Sequence, residues 1–160
     1  MGYLLIILST IVFDQVTKAW IVDTFQLYES RSIIPGFFNL VYVTNSGAAF
    51  SLLADVEAPW RHYFFLGVGG TALVGLSFVY WKLRRVHRFY TLALALIAGG
   101  AAGNLIDRIR FGSVIDFLDL YVGRYHWPAF NVADSAICVG AGLFLVLNIF
   151  EVRKSEVRES

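Results

Sequence analysis

The sequence predicts an α-helical integral membrane protein: a bundle of four membrane-spanning helices with a small extracytoplasmic β-hairpin element. Of the 160 residues, 58% are hydrophobic and only 16% are charged, which is too apolar for an ordinary soluble domain. Several stretches are long enough to cross the hydrocarbon layer, which takes about 20 mostly apolar residues. Basic residues also concentrate in alternate connections between these stretches, as in a multi-pass membrane protein.

The spans are predicted in chain order as a single membrane domain, 1–160. The first lies at about 2–22 and is retained, because no basic residue precedes it and no small-residue cleavage site follows it. The others lie at about 61–81, 89–108 and 131–150, and 151–160 is a tail. Two connections have strand character. Ser32–Thr44 is rich in β-branched and aromatic residues around a Pro-Gly turn, which predicts a hairpin within 23–60, and Ser113–Tyr121 predicts a strand within 109–130.

Loop charges predict the orientation. The link between spans two and three carries four basic residues, and the tail carries more: Lys82, Arg84, Arg85 and Arg88, then Arg153, Lys154 and Arg158. By the positive-inside rule these segments and both termini face the cytoplasm, whereas 23–60 and 109–130 lie outside. The tryptophans and tyrosines of the outer segments would form an interfacial belt.

This topology collects near the outer face the polar residues that look misplaced in an apolar span. They are Asp14 and Lys18 in span one, Asn104, Asp107 and Arg108 at the end of span three, and Asn131 and Asp134 at the start of span four. Asp116 lies in the link between spans three and four. Ionisable residues at membrane depth are costly, and each is a hypothesis for a functional site.

Each of these residues also has a structural interpretation. Asp14 and Lys18 have the spacing of an i,i+4 ion pair, and Asn104 and Arg108 share a helix face and would form a polar clamp. Asn131 and Asp134 have the spacing of a capping box, and the helix dipole favours a carboxylate at such a position.

Asp116 is harder to explain structurally, because its neighbours Val114-Ile115 and Phe117-Leu118 should desolvate its carboxyl and favour the protonated form. Asp134 thus tends towards the carboxylate and Asp116 towards the protonated acid. Two carboxyl groups that differ in this way and share one proton are the arrangement of an aspartic protease. Asp119 is an alternative to Asp116, but in a strand it would point to the opposite face.

Other functions have weaker support. No zinc-type spacing or phosphate-binding loop is present, and nothing indicates nucleic acid. A Ser–Lys dyad using Lys18 is disfavoured because Asp14 should keep that lysine charged. The small residues Gly99–Gly103 indicate close helix packing. A small proton-coupled transporter, with the acids as relays, and a non-catalytic membrane assembly subunit both remain alternatives.

Four blocks of sequence carry a resemblance to a known family. FDQVTK (13–18), TNSGAAFS (44–51), GGAAGNLIDRIRFGSVIDFL (99–118) and FNVADSAI (130–137) closely resemble the bacterial lipoprotein signal peptidases, or signal peptidase II, an aspartyl peptidase family. The resemblance implies an intramembrane endopeptidase of the bacterial cytoplasmic (inner) membrane. It would remove the signal peptide from diacylglyceryl-modified prolipoproteins, cutting before the lipidated cysteine of the lipobox.

The resemblance also implies site residues and partners. Asp116 and Asp134 fall on the catalytic aspartates, and eleven further residues fall on motif positions around them: Asp14, Lys18, Asn45, Gly47, Phe50, Asn104, Asp107, Arg108, Val114, Asn131 and Ala133. The 23–60 element matches the family's β-cradle and lid. Membrane lipids and globomycin-type peptide inhibitors are implied partners, and no metal or organic cofactor is implied. We expect Asn45 and Asn104 to bind the opened substrate backbone and Arg108 to orient a carboxylate.

Overall fold

The computed structural model describes residues 2–47 and 59–159, and the side chains of 2–47 and 60–150. In this part of the chain the helices are α1 (Gly2–Thr24), α2 (Pro59–Leu83), α3 (Arg88–Phe111) and α4 (Val132–Glu159). The strands are β1 (Ser30–Ile34), β2 (Phe38–Asn45), β3 (Val114–Val122) and β4 (Tyr125–His126). All four helices contain a stretch long and apolar enough to span a membrane. The predicted fold class is confirmed, and the protein is a multi-pass membrane protein.

Helix α3 lies at the centre of the bundle and packs against the other three helices. Its contact with α4 depends on small residues. At each of two levels along the helices, a glycine of one helix meets an alanine of the other. A Cβ built on Gly100 would lie 2.3 Å from the carbonyl oxygen of Ala133, and one built on Gly140 would lie 2.6 Å from that of Ala93. The backbones therefore approach at two points seven residues apart on each antiparallel helix. This confirms the predicted close packing of small residues.

The sheet is antiparallel, with the strand order β1-β2-β3-β4. The hairpin of β1 and β2 turns at Gly36, whose φ of +80° suits glycine. Strand β3 leaves α3 through Gly112, which ends the helix in the left-handed conformation with φ +74°. It pairs with β2 so that Asn45 lies opposite Val114. This turn directs the chain from the end of a span straight into the sheet.

Two apolar clusters lie at opposite ends of the bundle. One joins the end of α1 to the sheet and is built on Ile21, Phe25, Ile115 and Phe117. The other is built on Tyr3, Leu94 and Ala95 and includes Tyr80, whose ring stacks on that of Tyr3. We call the end with the first cluster the sheet end. The buried polar and charged side chains of the spans are found there.

Candidate active site

Asp116 and Asp134 come together where β3 meets the start of α4, and Asn131 joins them. Asn131 donates from Nδ2 to Asp116 Oδ1 at 2.7 Å. Its backbone N–H donates to Asp134 Oδ2 at 3.2 Å, and its Oδ1 accepts from the Asp134 N–H at 2.9 Å. The last two contacts form the predicted capping box. One fully buried amide side chain therefore contacts both aspartates.

Asn104 supports Asp134 from α3. It donates from Nδ2 to Asp134 Oδ1 at 2.8 Å, while its Oδ1 accepts from Lys18 Nζ at 3.0 Å and from Asn131 Nδ2 at 3.2 Å. Its side chain is buried, and these contacts occupy both polar atoms. Asn104 thus holds the Asp134 carboxyl, and its contact with a substrate backbone stays a prediction.

A buried ionic triad lies beneath these residues. Lys18 Nζ lies 2.9 Å from Asp14 and 2.8 Å from Asp107, and none of the three side chains is more than 2% exposed. The predicted i,i+4 pair is present, and Asp107 extends it. The carboxylates also accept backbone N–H groups, Asp14 from Ala133 at 2.9 Å and Asp107 from Ile115 at 3.2 Å. The triad thereby fixes the first turn of α4 and the start of β3.

Gln15 belongs to the same network, although our sequence reasoning gave it no role. Its Nε2 lies 2.8 Å from Asp107 Oδ1, 3.2 Å from Asp14 Oδ2 and 3.3 Å from the carbonyl oxygen of Gly103. An uncharged amide in an apolar helix gives little sequence signal. The available clue was its place inside the block FDQVTK, between two charged residues of the site.

Asn45 and Gly47 approach the site from the end of β2. Asn45 hydrogen-bonds to Asp116 and also accepts the N–H of Gly47 at 3.0 Å. Arg108 donates to the carbonyl oxygens of Gly47 at 3.0 Å and Asn104 at 3.4 Å. Its positive charge also interacts with both Asp116 and Asp134. Arg108 therefore links α3 to the end of β2 beside the two aspartates.

The remaining candidate residues, Val114, Ala133 and Phe50, are apolar. Val114 and Ala133 are buried, and their backbones pair with Asn45 and Asp14 respectively. Phe50 lies outside the described residues. The structure thus brings together every described candidate residue that the sequence proposed.

The environment of Asp116 favours its protonated form. Burial, and secondly the negative charge of Asp134, raise the pKa of Asp116 to about 7, against the opposing effects of the Asn131 and Asn45 hydrogen bonds and the Lys18 charge. This agrees with the prediction from its apolar neighbours.

Asp119 takes no part in the pair. Its carboxyl accepts from Asn39 Nδ2 at 2.8 Å and lies 2.9 Å from His126 Nδ1. As predicted, it faces away from the Asp116 side of β3. Asn39 and His126 were not expected in any polar cluster, because neither lies near a charged motif in the sequence.

The buried polar residues do not form a path across the membrane. Among the described side chains, those that are buried and polar or charged all lie at the sheet end: Asp14, Lys18, Asn39, Asn104, Asp107, Asp116, Asp119 and Asn131. The opposite end of the bundle is packed with apolar and tyrosine side chains. A proton relay through the full membrane thickness therefore has no support in the described part of the chain.

A family model described as signal peptidase (SPase) II matches residues 6–150. The chain belongs to the signal peptidase II family. Membership makes it a peptidase rather than a non-catalytic assembly subunit.

Curated relatives and a solved structure agree with this assignment. The chain is 53% identical to a lipoprotein signal peptidase of Cupriavidus taiwanensis over 92% of this chain and 82% of the relative. It is 51% identical to one of Geobacter sulfurreducens over 93% and 92%. A solved structure described as a bacterial membrane enzyme aligns with a TM-score of 0.85 at 32% identity, covering 94% of this chain and 89% of the other.

Proposed function

We propose that the protein is an intramembrane aspartic endopeptidase that removes the signal peptide from diacylglyceryl-modified prolipoproteins, cutting before the lipidated cysteine of the lipobox. The observation that carries this proposal is the pair of carboxyl groups joined through Asn131. The pKa of Asp116 near 7 lets it hold a proton at neutral pH, while Asp134 accepts two N–H donors. Membership of the signal peptidase II family supports the same reaction.

In the first step, Asp134 acts as the general base and Asp116 as the general acid. The oxygen of a water molecule attacks the scissile carbonyl carbon while one water proton passes to the Asp134 carboxylate. The Asp116 carboxyl gives its proton to the carbonyl oxygen. The product is a neutral tetrahedral diol, so no oxyanion has to be stabilised in this apolar setting.

In the second step, the proton held by Asp134 passes to the leaving amide nitrogen as the carbon–nitrogen bond breaks. Asp116 takes a hydroxyl proton back as the new carboxyl group forms, which returns both aspartates to their starting states. Asn104 and Asn131 keep the two carboxyl groups oriented throughout. The buried Lys18 supplies a positive charge that offsets the local excess of carboxylates.

The position of the site suits a signal-peptide substrate. An apolar helix must unwind to expose its scissile bond, and unpaired backbone is costly in hydrocarbon. Asn45 and Arg108 are only partly buried and lie beside Asp116, so they are our candidates for contacts with the opened chain. The acyl chains of the substrate would stay among membrane lipids between the spans.

We place the site at the outer face of the bacterial inner membrane with both termini in the cytoplasm. Support comes from the basic link Lys82–Arg88, which lies at the opposite end of the bundle from the sheet. A globomycin-type peptide would compete with the substrate for this site.

The test is cleavage of a lipid-modified prolipoprotein by purified protein in lipid or detergent. Asp116→Asn and Asp134→Asn should each lower kcat by at least about 1,000-fold, since an amide replaces the group that transfers the proton. Asp23→Asn, an exposed acid at the end of α1, is the matched control and should keep full activity.

Thermal unfolding of each variant gives the folding control. Robust turnover by a folded Asp116→Asn or Asp134→Asn protein would refute the dyad. If the unchanged protein cleaves no lipid-modified substrate but cleaves unmodified precursors, the assigned substrate class is wrong.

A further inference from the structure

A second polar cluster is centred on the Asp119 carboxyl of β3, and the proposed reaction gives it no role. Residue Asp119 is 6% exposed, and its two carboxyl oxygens lie 2.9 and 3.0 Å from His126 Nδ1. Asn39 on β2 donates to the same carboxyl at 2.8 Å. The His126 ring stacks on Tyr121 at 4.8 Å between centroids. The cluster therefore joins β2, β3 and β4 through side chains.

Strand β4 needs such a contact because its own backbone pairing is short. It has only two residues, Tyr125 and His126, both exposed. After it, Trp127 donates one backbone hydrogen bond to Leu120, and Pro128 has no N–H to donate. A two-residue edge strand followed by proline has few backbone bonds to hold it against β3.

The segment that follows β4 leads directly to Asn131 and Asp134 of the candidate active site. Phe130 accepts the N–H groups of Phe117 and Leu118 at 3.0 and 2.8 Å and donates to Leu118 at 3.1 Å. The next residue is Asn131, which contacts both aspartates. A shift of segment 126–130 along β3 would therefore move Asn131 relative to Asp116.

We propose that Asp119 and His126 are positioning residues for the peptidase reaction: their contact sets the register of segment 126–130 against β3 and so places Asn131 between Asp116 and Asp134. The proposal rests on the proposed function. Neither residue touches the reacting atoms, and both act through the backbone between Phe130 and Leu118. Misplacement of catalytic groups by about 1 Å costs roughly 100-fold in rate, so a small change in register is enough to matter.

The test compares two substitutions of His126, whose ring is half exposed. His126→Ala removes the contact with Asp119. His126→Asn keeps a donor, because the Asn amide nitrogen stands the same number of bonds from Cα as Nδ1. We expect His126→Ala to lower kcat about 10- to 100-fold with little change in KM, and His126→Asn to restore most of the loss.

Amide hydrogen exchange tests positioning without the reaction. His126→Ala should speed exchange at the N–H groups of Phe117, Leu118 and Phe130, while those of the spans stay protected. The matched control is Arg124→Ala in the same turn, an exposed residue whose side chain contacts Tyr125. It should change neither kcat nor exchange at these sites.

The outcomes separate this proposal from the proposed function. If the unchanged protein shows no peptidase activity, the proposed function fails, while exchange still reports the register. Wild-type kcat in His126→Ala overturns the positioning role. Equal loss in His126→Ala and His126→Asn shows that the hydrogen bond is not what matters, and equal loss in Arg124→Ala shows that any disturbance of the turn suffices. Either result overturns the proposal.

Discussion

The close contact between Gly100 and the start of α4 makes a sharp prediction about the geometry of the site. A methyl group at this position would lie 2.3 Å from the Ala133 carbonyl oxygen, whereas ordinary contacts of a Cβ begin at 3.4 Å. The shortfall is about 1 Å, and the obstructing atom belongs to the backbone and cannot rotate away. Gly100→Ala must therefore push the first turn of α4 outward.

The displaced turn is the one that carries Asp134. Ala133 precedes Asp134 directly, and its own N–H is bonded to the buried Asp14. An outward shift of about 1 Å would lengthen the 2.8 Å contact between Asn104 and Asp134 beyond hydrogen-bonding range. Since misplacement on this scale costs roughly 100-fold in rate, we expect kcat to fall by about that factor.

Stability should change much less than activity. Overpacking costs about 1–3 kcal/mol, and replacing a helical glycine by alanine returns up to about 1 kcal/mol. The assay measures kcat on a lipid-modified prolipoprotein beside thermal unfolding in the same detergent.

Gly75→Ala in α2 is the matched control, because nothing lies within 4 Å of a Cβ built there. It should keep full activity. Full activity in a folded Gly100→Ala protein would show that the helices yield without moving Asp134 and would refute the reasoning.

Three further predictions concern the polar network. Above about pH 7, log kcat should fall by one for each pH unit, because Asp116 then loses the proton that we propose it donates. The raised pKa also means that folding takes up a proton at pH values between 3.8, the ordinary pKa of an aspartate, and about 7. The contribution of Asp116 to the free energy of unfolding therefore falls as pH rises from 3.8 to about 7. Urea unfolding at a series of pH values should show this fall in the free energy of unfolding, and Asp116→Asn should remove it. A fall of the same size in the Asp116→Asn protein would contradict the raised pKa of Asp116. Asn131→Ala should lower kcat at least about 100-fold and stability by about 1–2 kcal/mol as a lost helix cap, and activity within twofold of normal would contradict the bridging role. Lys18→Met should destabilise by about 3–5 kcal/mol because two buried carboxylates lose their counterion; adding Asp14→Asn should recover part of this in thermal unfolding, and no recovery would contradict the triad.

The architecture was predictable because its signals are local. Each span is a continuous apolar stretch, and the Pro-Gly turn between two β-rich runs defines the hairpin of β1 and β2. Helix ends were less predictable. Helix α3 continues to Phe111, and α4 continues through Glu159, into the segment expected to be a tail. Nothing in the local sequence of 151–159 stops a helix, since it contains neither glycine nor proline.

The membership of the polar cluster was also predictable, because a charged residue in an apolar span is conspicuous. Its internal bonding was not. Asn104 and Gln15 are uncharged, and their partners lie on other helices, so no spacing rule indicates which contacts they make. The pairing of Asp119 with His126 depends on the register of β4, a two-residue strand with no sequence signature of its own.

The bridge formed by Asn131 has a consequence for the order in which the enzyme is made. Synthesis produces Asp116 while the fourth span is still absent. Until the cap of α4 reaches the sheet, that carboxyl lacks both the Asn131 amide donor and its partner acid. A chain that stops before Asn131 thus carries Asp116 without Asp134, the residue that we propose as the general base. If hydrolysis needs both aspartates, as we propose, insertion of the last span is the event that switches it on, and the growing chain, itself a set of apolar helices, is protected from cleavage until then.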